Sequence, residues 1–405
     1  MVIICGNKLS EKDMTHDQIR HLRNLRLLLS QNKSPLGFLL AAGCPLSVKD
    51  PATGKALLPD MAGLTKIISD KHAADADGTP YKRLMEELGK AGKNTQNLED
   101  VLTYIRTMKE VSTGGGMVRG FTEAELTSLE TEICTTISGA VTKDLPDGNN
   151  SYRKFARWVG SIDRDVPVEV FTTNYDLLLE QALEEQSVPF FDGFSGSRYP
   201  FFDIHSVEED ELPRYWARLW KLHGSVNWKT VKGEVCRVSK DVAGSPELIY
   251  PSKLKYDQSR KMPFLAMSDR LTNFLLQPQA VLFVCGYSFG DEHINDTIIN
   301  ALKVNQTANV IALMYGAMKK TDPAGELNFP EAVKRATERP NLSVWHDEEA
   351  VIGAQRRDWA KFEDQKKEFS SFTLKMVGDR VSFGDFDAFT TFLSELIGDH
   401  PDADK

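Results

Sequence analysis

Two stretches decide the fold: VPVEVFTTNYD at residues 166–176 and AVLFVCGYSFGDEHIN at residues 280–295. In each, a short apolar run ends in small or polar residues, and a helical pattern follows. This order is typical of a buried parallel strand that turns into a helix. Residues 218–222 and 309–313 have the same strand character. We therefore predict an α/β fold with a Rossmann-like, mostly parallel sheet and helices on both faces.

The segment between the first strand and the rest of the sheet has a helical pattern. GFLLAAG at residues 37–43 predicts a buried strand and a tight turn. From residue 61 to about 150 the apolar residues recur at helical spacing. We expect four parts in the chain. They are an N-terminal helical extension (1–35), a sheet domain (36–315), a helical insertion within it (about 61–150) and a small C-terminal α+β extension (316–405).

Composition excludes several classes of protein. The 405 residues carry 49 basic and 58 acidic side chains, a net charge of −9, so direct nucleic-acid binding is not expected. Five cysteines without a Cys-x-x-Cys pair predict neither a disulfide framework nor a zinc ribbon. No apolar run approaches the ~20 residues of a membrane span. We expect a cytoplasmic protein with no membrane partner.

Four segments place small or polar residues directly after a strand. They are AAGCPLS (41–47), FTTNYD (171–176), KLHGS (221–225) and CGYSFGDEHIN (285–295). The carboxyl ends of parallel strands meet at one edge of a sheet, where ligands bind. In the last segment, residues 291–293 are adjacent acids and a histidine without metal-ligand spacing. They predict a helix start, and no metal is expected.

Together these segments resemble the sirtuin family, specifically its bacterial Sir-two-like defence branch. The residues that carry the resemblance stand in the family's order along the chain: Ala42, Gly43 and Ser47, then Asn174 and Asp176, then His223 and Gly224, then Gly286 and Ser288. The resemblance implies that NAD is the substrate. Ala41 and Asp60 complete the set of candidate cofactor-binding residues.

The residue types suit that chemistry. Small side chains at 41–43 would let the backbone approach a pyrophosphate, although a plain strand-to-turn junction has the same composition. An amide at Asn174 can orient a ribose or a water while positive charge develops on C1′. Asp176 has two possible functional roles, which are to stabilise that cation and to hold the nicotinamide carboxamide. The structural alternative is that it caps the next helix. Gly286 and Ser288 would receive the adenosine side.

His223 is the candidate base. A side chain that titrates near neutral pH suits proton abstraction from a ribose hydroxyl or an attacking water. The alternative is a structural histidine. The aromatic segment at 189–203 is likewise either ordinary packing or a lid over the nicotinamide end.

The resemblance implies three possible functions. The deacetylating sirtuins have a four-cysteine zinc module after the catalytic histidine, whereas the segment after His223 holds a single cysteine, Cys236. This difference favours an NAD hydrolase of antiphage defence that releases nicotinamide and ADP-ribose. A protein deacylase or ADP-ribosyltransferase, and a non-catalytic nucleotide sensor, are the alternatives.

The resemblance also implies partners. Relatives with short terminal additions are NADase partners of HerA-like ring ATPases, so we expect a homo-oligomer that works with such an ATPase. The basic helix that carries Arg20, Arg23 and Arg26 is a candidate assembly surface, although such a charge run is more typical of a solvated face. The apolar helix near residues 386–397 is the second candidate surface.

Overall fold

The computed structural model describes residues 15–209, 211–231, 233–238, 262–320, 326–362 and 368–398. Its strands are β1 (Thr15–His16), β2 (Leu36–Leu40), β3 (Val168–Thr172), β4 (Phe190–Phe191), β5 (Phe194–Ser195), β6 (Phe201–Phe202), β7 (Ala217–Lys221), β8 (Trp228–Val231), β9 (Glu234–Arg237), β10 (Val281–Cys285), β11 (Asn309–Leu313), β12 (Leu342–Trp345), β13 (Glu349–Ile352), β14 (Gln355–Trp359), β15 (Met376–Val377) and β16 (Arg380–Val381).

The helices of the described residues lie between and around these strands. They are α1 (Gln18–Ser30), α2 (Met61–Lys71), α3 (Pro80–Lys90), α4 (Leu98–Ser112), α5 (Glu123–Val141), α6 (Ser151–Ser161), α7 (Leu178–Glu185), α8 (Ile204–Glu209), α9 (Phe264–Leu276), α10 (Glu292–Val304), α11 (Pro330–Glu338) and α12 (Phe386–Leu396). Among them, none is both long and apolar enough to cross a membrane.

The main sheet has ten strands in the order β1-β14-β13-β12-β11-β10-β2-β3-β7-β4. From β12 to β4 every neighbouring pair is parallel, whereas β12, β13 and β14 form an antiparallel meander. The predicted fold class is confirmed. From β2 the chain builds β3 and β7 on one side and later returns to place β10 and β11 on the other. The order therefore reverses beside β2, where open α/β sheets hold ligands.

The central strands are buried on both faces. All five residues are buried in β2, β3, β7 and β10, because helices cover both sides of a parallel sheet. Phe38 of β2 stacks on Phe283 of β10 with ring centroids 5.6 Å apart. The near-continuous apolar runs that predicted these strands follow from this double burial.

The helical insertion that the sequence predicts comprises α2 to α5 and has a separate apolar cluster. Leu84, Leu102 and Ile133 are fully buried within it. At the start of α5, the Thr122 hydroxyl accepts from the Glu125 amide and the Glu125 carboxylate accepts from the Thr122 amide. This capping box satisfies backbone donors that the helix cannot pair itself.

The C-terminal segment continues the main sheet and its core. The strands β12 to β14 extend the sheet, and α12 packs against α6. Nine of the eleven residues of α12 are buried, and only Asp387 and Leu396 are partly exposed. The expectation that this helix offers an assembly surface is therefore wrong, because its apolar residues are buried in the core of the same chain.

The basic helix α1 is the other candidate surface, and its residues Arg20, Arg23 and Arg26 are exposed.

A second sheet of four short strands lies beside the main one, in the order β5-β6-β9-β8. It contains the antiparallel hairpin of β8 and β9, and Lys232 in its turn lies outside the described residues. The aromatic segment 189–203 contributes to both packing and surface. Phe191 and Phe194 are buried, whereas Tyr199 is 76% exposed.

Candidate functional site

A cavity of about 210 Å³ opens at the carboxyl edge of the sheet, where the strand order reverses. The loops after β2, β3, β7 and β10 all contribute to its wall. Eight of the ten candidate site residues line it: Ala41, Ala42, Asp60, Asn174, Asp176, His223, Gly286 and Ser288. The structure thus brings together residues that the chain separates by up to 247 positions (288 − 41).

Gly43 and Ser47 are not among the residues that line the cavity. The Gly43 amide donates to the Gly286 carbonyl at 2.9 Å, so the loops after β2 and β10 touch through their backbones. Gly286 has a φ of +67°, and a Cβ there would lie 2.5 Å from the Cys44 nitrogen. The Ser47 hydroxyl donates to the Cys44 carbonyl at 2.7 Å and lies 2.6 Å from the Ser151 hydroxyl.

Asn174 is held where the ends of β2 and β3 meet. Its side-chain amide donates to the Ala41 carbonyl at 3.2 Å, and its backbone amide donates to the Thr172 hydroxyl at 3.0 Å. That hydroxyl in turn donates to the Leu40 carbonyl at 2.7 Å. These bonds restrain the amide side chain at the cavity wall.

Asp176 faces both the cavity and the start of α7. Its carboxylate lines the cavity and also accepts from the Leu178 amide at 3.1 Å, one residue beyond the N-cap Leu177. Burial raises the pKa of Asp176 to about 6, while the buried Lys221 ammonium acts in the opposite direction. Lys221 donates to the Asp176 carbonyl and to the Glu180 carboxylate, the latter at 2.7 Å. At pH 7 the Asp176 carboxyl is mostly ionised.

His223 lies two residues after the end of β7 and faces a carboxylate. Gly224, with a φ of +85°, turns the chain directly after it. The His223 Nε2 lies 3.2 Å from Asp291 Oδ2, and both side chains are about nine-tenths buried. Asp291 is the N-cap of α10 and accepts from the amides of His293 at 3.0 Å and Ile294 at 3.4 Å. The predicted helix start is therefore present, and it also holds the candidate base.

Residues 168–341 match the family model of the SIR2-like domain. The matched segment is somewhat less than half of the chain and contains Asn174, His223 and Gly286. The resemblance to sirtuins is confirmed at this level, and its finer assignment to a defence branch stays a prediction.

Solved structures also match the chain. The chain matches a structure described as "Structural Basis for the Mechanism and Regulation of Sir2 Enzymes" with 12% identity and a TM-score of 0.31. That match covers 78% of this chain and 97% of the other chain. No curated protein matches the sequence.

The helical insertion forms a wall of the cavity that lies outside the SIR2-like segment. Met61 and Leu64 of α2, Glu99 of α4 and Val141 of α5 line it. Asp60, a candidate from the sequence, caps α2 by accepting from the Gly63 amide at 2.8 Å. Sequence reasoning missed the insertion residues, because their helical spacing does not say which sheet edge the helices will cover.

In the part of the chain that the structure describes, no cluster of three or more His, Cys, Asp or Glu side chains is arranged to hold a metal ion.

Proposed function

We propose that this chain is an NAD hydrolase that releases nicotinamide and ADP-ribose. The C1′–N bond breaks, and its electron pair leaves with the nicotinamide nitrogen, which neutralises the pyridinium ring. A water oxygen bonds to C1′ and gives up one proton, which His223 accepts. Asn174 orients the ribose or the water, and the Asp176 carboxylate is the negative group for the cation that develops at C1′.

The observation that carries this proposal is the meeting of Asn174 and the paired His223 in one cavity at the strand reversal. Dinucleotides bind at such a reversal in open α/β sheets. A pocket that only sensed a nucleotide would have no need of a histidine held by a carboxylate. Backbone contact between Gly43 and Gly286 brings the two strand-end loops of the cavity together.

Water is proposed as the acceptor because the sequence lacks the parts of a peptide groove. Between His223 and Cys285 the chain has one cysteine, Cys236, where the deacetylating sirtuins have four that bind zinc. The insertion places Met61, Leu64 and Val141 on the cavity wall instead.

The proposed biological role is antiphage defence in the cytoplasm, through depletion of NAD. An unregulated NADase would poison its own cell, so we propose that the chain forms a homo-oligomer and that a HerA-like ring ATPase regulates it. We propose the exposed Arg20 and Arg26 of α1 as part of the assembly surface, whereas Arg23 pairs with Glu368 at 2.6 Å. Light scattering of the purified chain, and co-purification with the product of a neighbouring gene, test these two parts separately. A monomer that cleaves NAD constitutively would contradict them.

Product analysis tests the reaction itself. The purified chain, alone and with its co-purified partner, is incubated with NAD, with and without an acetyl-lysine peptide. We expect nicotinamide and ADP-ribose in equal amounts, and no dependence on the peptide. Nicotinamide release that requires the peptide would favour the deacylase, ADP-ribose attached to protein would favour the transferase, and no cleavage in either preparation would favour a sensor.

A further inference from the structure

The side chain of Asp291 joins two parts of the site that the chain separates by 68 residues (291 − 223). One carboxylate oxygen, Oδ2, lies 3.2 Å from the Nε2 of His223. The other, Oδ1, accepts from the backbone amides of His293 and Ile294 at the start of α10. The helix therefore fixes one oxygen while the second faces the imidazole ring.

The loop that carries Asp291 is held by buried bonds of its own. The Tyr287 hydroxyl lies 3.0 Å from the Asp291 carbonyl oxygen and 2.9 Å from Asn295 Oδ1. The Asn295 side-chain amide donates to the Phe289 carbonyl at 2.8 Å, and Asn295 is fully buried. These contacts do not involve His223, so Asp291 is positioned independently of the ring that it faces.

We propose that Asp291 is a positioning residue for His223, an inference that rests on the proposed function. A carboxylate on one ring nitrogen fixes the orientation of an imidazole and stabilises the imidazolium that forms when the ring accepts a proton. Asp291 also caps the helix that follows the Gly286 to Ser288 turn. The same side chain therefore contacts both the helix after the proposed nucleotide loop and the proposed base.

Other charged groups surround the ring and must be kept constant in a test. The carboxylates of Asp60, Glu99 and Asp176 line the same cavity. Lys221, whose ammonium is buried, is the last residue of β7, two residues before His223. The pH–rate profile is therefore compared only between the wild type and variants of Asp291, in which these other charged groups are unchanged.

The variants Asp291→Asn and Asp291→Ala remove the charge of this side chain with and without its capping oxygen. Asparagine keeps a capping oxygen but loses the charge, whereas alanine loses both. We expect kcat for nicotinamide release to fall at least about tenfold in both variants, with little change in KM, as loss of base positioning predicts. The acidic limb of the pH–rate profile moves to lower pH, because the imidazolium loses its partner.

A matched control is Asp385→Asn, a cap that accepts from the Asp387 amide at 2.9 Å at the start of α12. It should leave kcat unchanged. Adding Asp291→Asn to His223→Ala should cost no further activity, because the two residues act as a unit. If Asp291 only caps the helix, Asp291→Asn will keep the wild-type kcat and pH profile, and the inference is overturned.

The pairing can also be measured without activity. In protein labelled with ¹³C on the histidine rings, the His223 signal is the one that His223→Gln removes. We expect its titration midpoint to be lower in Asp291→Asn than in the wild type. An unchanged midpoint overturns the inference, whether or not the wild type cleaves NAD. A lower midpoint in a protein that cleaves no NAD leaves the pairing intact and refutes the proposed function.

Discussion

Gly286 lies where the backbones of the loops after β2 and β10 are in direct contact, through its hydrogen bond with Gly43. Its φ of +67° strains any other residue, and a Cβ would also meet the Cys44 nitrogen at 2.5 Å. Gly378 has a similar φ of +61° with no atom near its Cβ position. The two positions therefore separate backbone strain from close contact.

We predict that Gly286→Ala lowers the free energy of unfolding by at least about 2 kcal/mol, the sum of left-handed strain and a backbone clash. Gly378→Ala should cost only the strain, about 1 kcal/mol. Urea unfolding of both variants measures the difference. Equal losses would show that the two loops can separate without cost.

Asp176 is predicted to make stability depend on pH in an unusual direction. Its pKa is raised from 3.8 to about 6 by burial, so the folded state binds the proton more tightly than the unfolded chain. The resulting stability is fully present below pH 3.8 and is lost as the pH rises through 6.

Unfolding of Asp176→Asn across this pH range is the measurement. The free energy of unfolding of the wild type, relative to the variant, should fall on the order of 3 kcal/mol between these pH values and stay level above them. A relative stability that rises with pH would mean that the folded protein favours the ionised carboxylate.

Most of the candidate site was predictable at the scale of single residues. Asn174, His223 and Gly286 each follow a strand, and parallel strands deliver their carboxyl ends to one edge. The contact between His223 and Asp291 was not predictable, because a cap motif near residue 291 indicates only a helix start. The hydroxyl of Ser47 bonds to the Cys44 carbonyl and lies beside the Ser151 hydroxyl. The position of Ser47 in the sequence does not distinguish such structural bonds from phosphate binding.

At the scale of elements, β3, β7, β10 and β11 begin and end within two residues of the predicted runs. The parallel strands β4 and β12 were not predicted, and the C-terminal helix was misjudged. The helical spacing of its apolar residues predicts that one face is buried. That spacing does not show whether a partner or the same chain covers the face. In the structure α12 lies against α6 and contributes to the cluster beneath β2 and β10. Tertiary packing decides which surface covers the apolar face of α12, and that packing depends on residues more than 200 positions away in the sequence.

Phe389 of α12 tests that packing. It is fully buried, with its ring centroid 5.8 Å from Phe283 and 6.4 Å from Phe38. We predict that Phe389→Ala lowers the free energy of unfolding by about 3–5 kcal/mol through lost burial and a cavity. The control Tyr215→Ala, at a side chain that is 71% exposed, should change it by less than about 0.5 kcal/mol. Urea unfolding midpoints compare the two, and a small loss at Phe389 would restore this helix as an assembly surface.

At the scale of the whole molecule, most of the candidate site residues lie in one crevice at the edge of the sheet. The sheet supplies Asn174, Asp176 and His223 from its carboxyl edge, and the helical insertion closes the opposite wall with Met61 and Leu64. The proposed base and the proposed orienting amide follow different strands, β7 and β3. Removing either side chain should therefore stop the reaction without disturbing the sheet.

The most direct test is the initial rate of nicotinamide release from NAD by the wild type, His223→Ala and Asn174→Ala, each in the preparation that is active for the wild type. Unfolding midpoints of the three proteins establish that the fold is kept. The account predicts that each substitution lowers the rate by ~10²–10⁴-fold, the usual cost of losing a placed base or orienting group. A wild-type rate in either folded variant would contradict the assignment of this cavity as the active site.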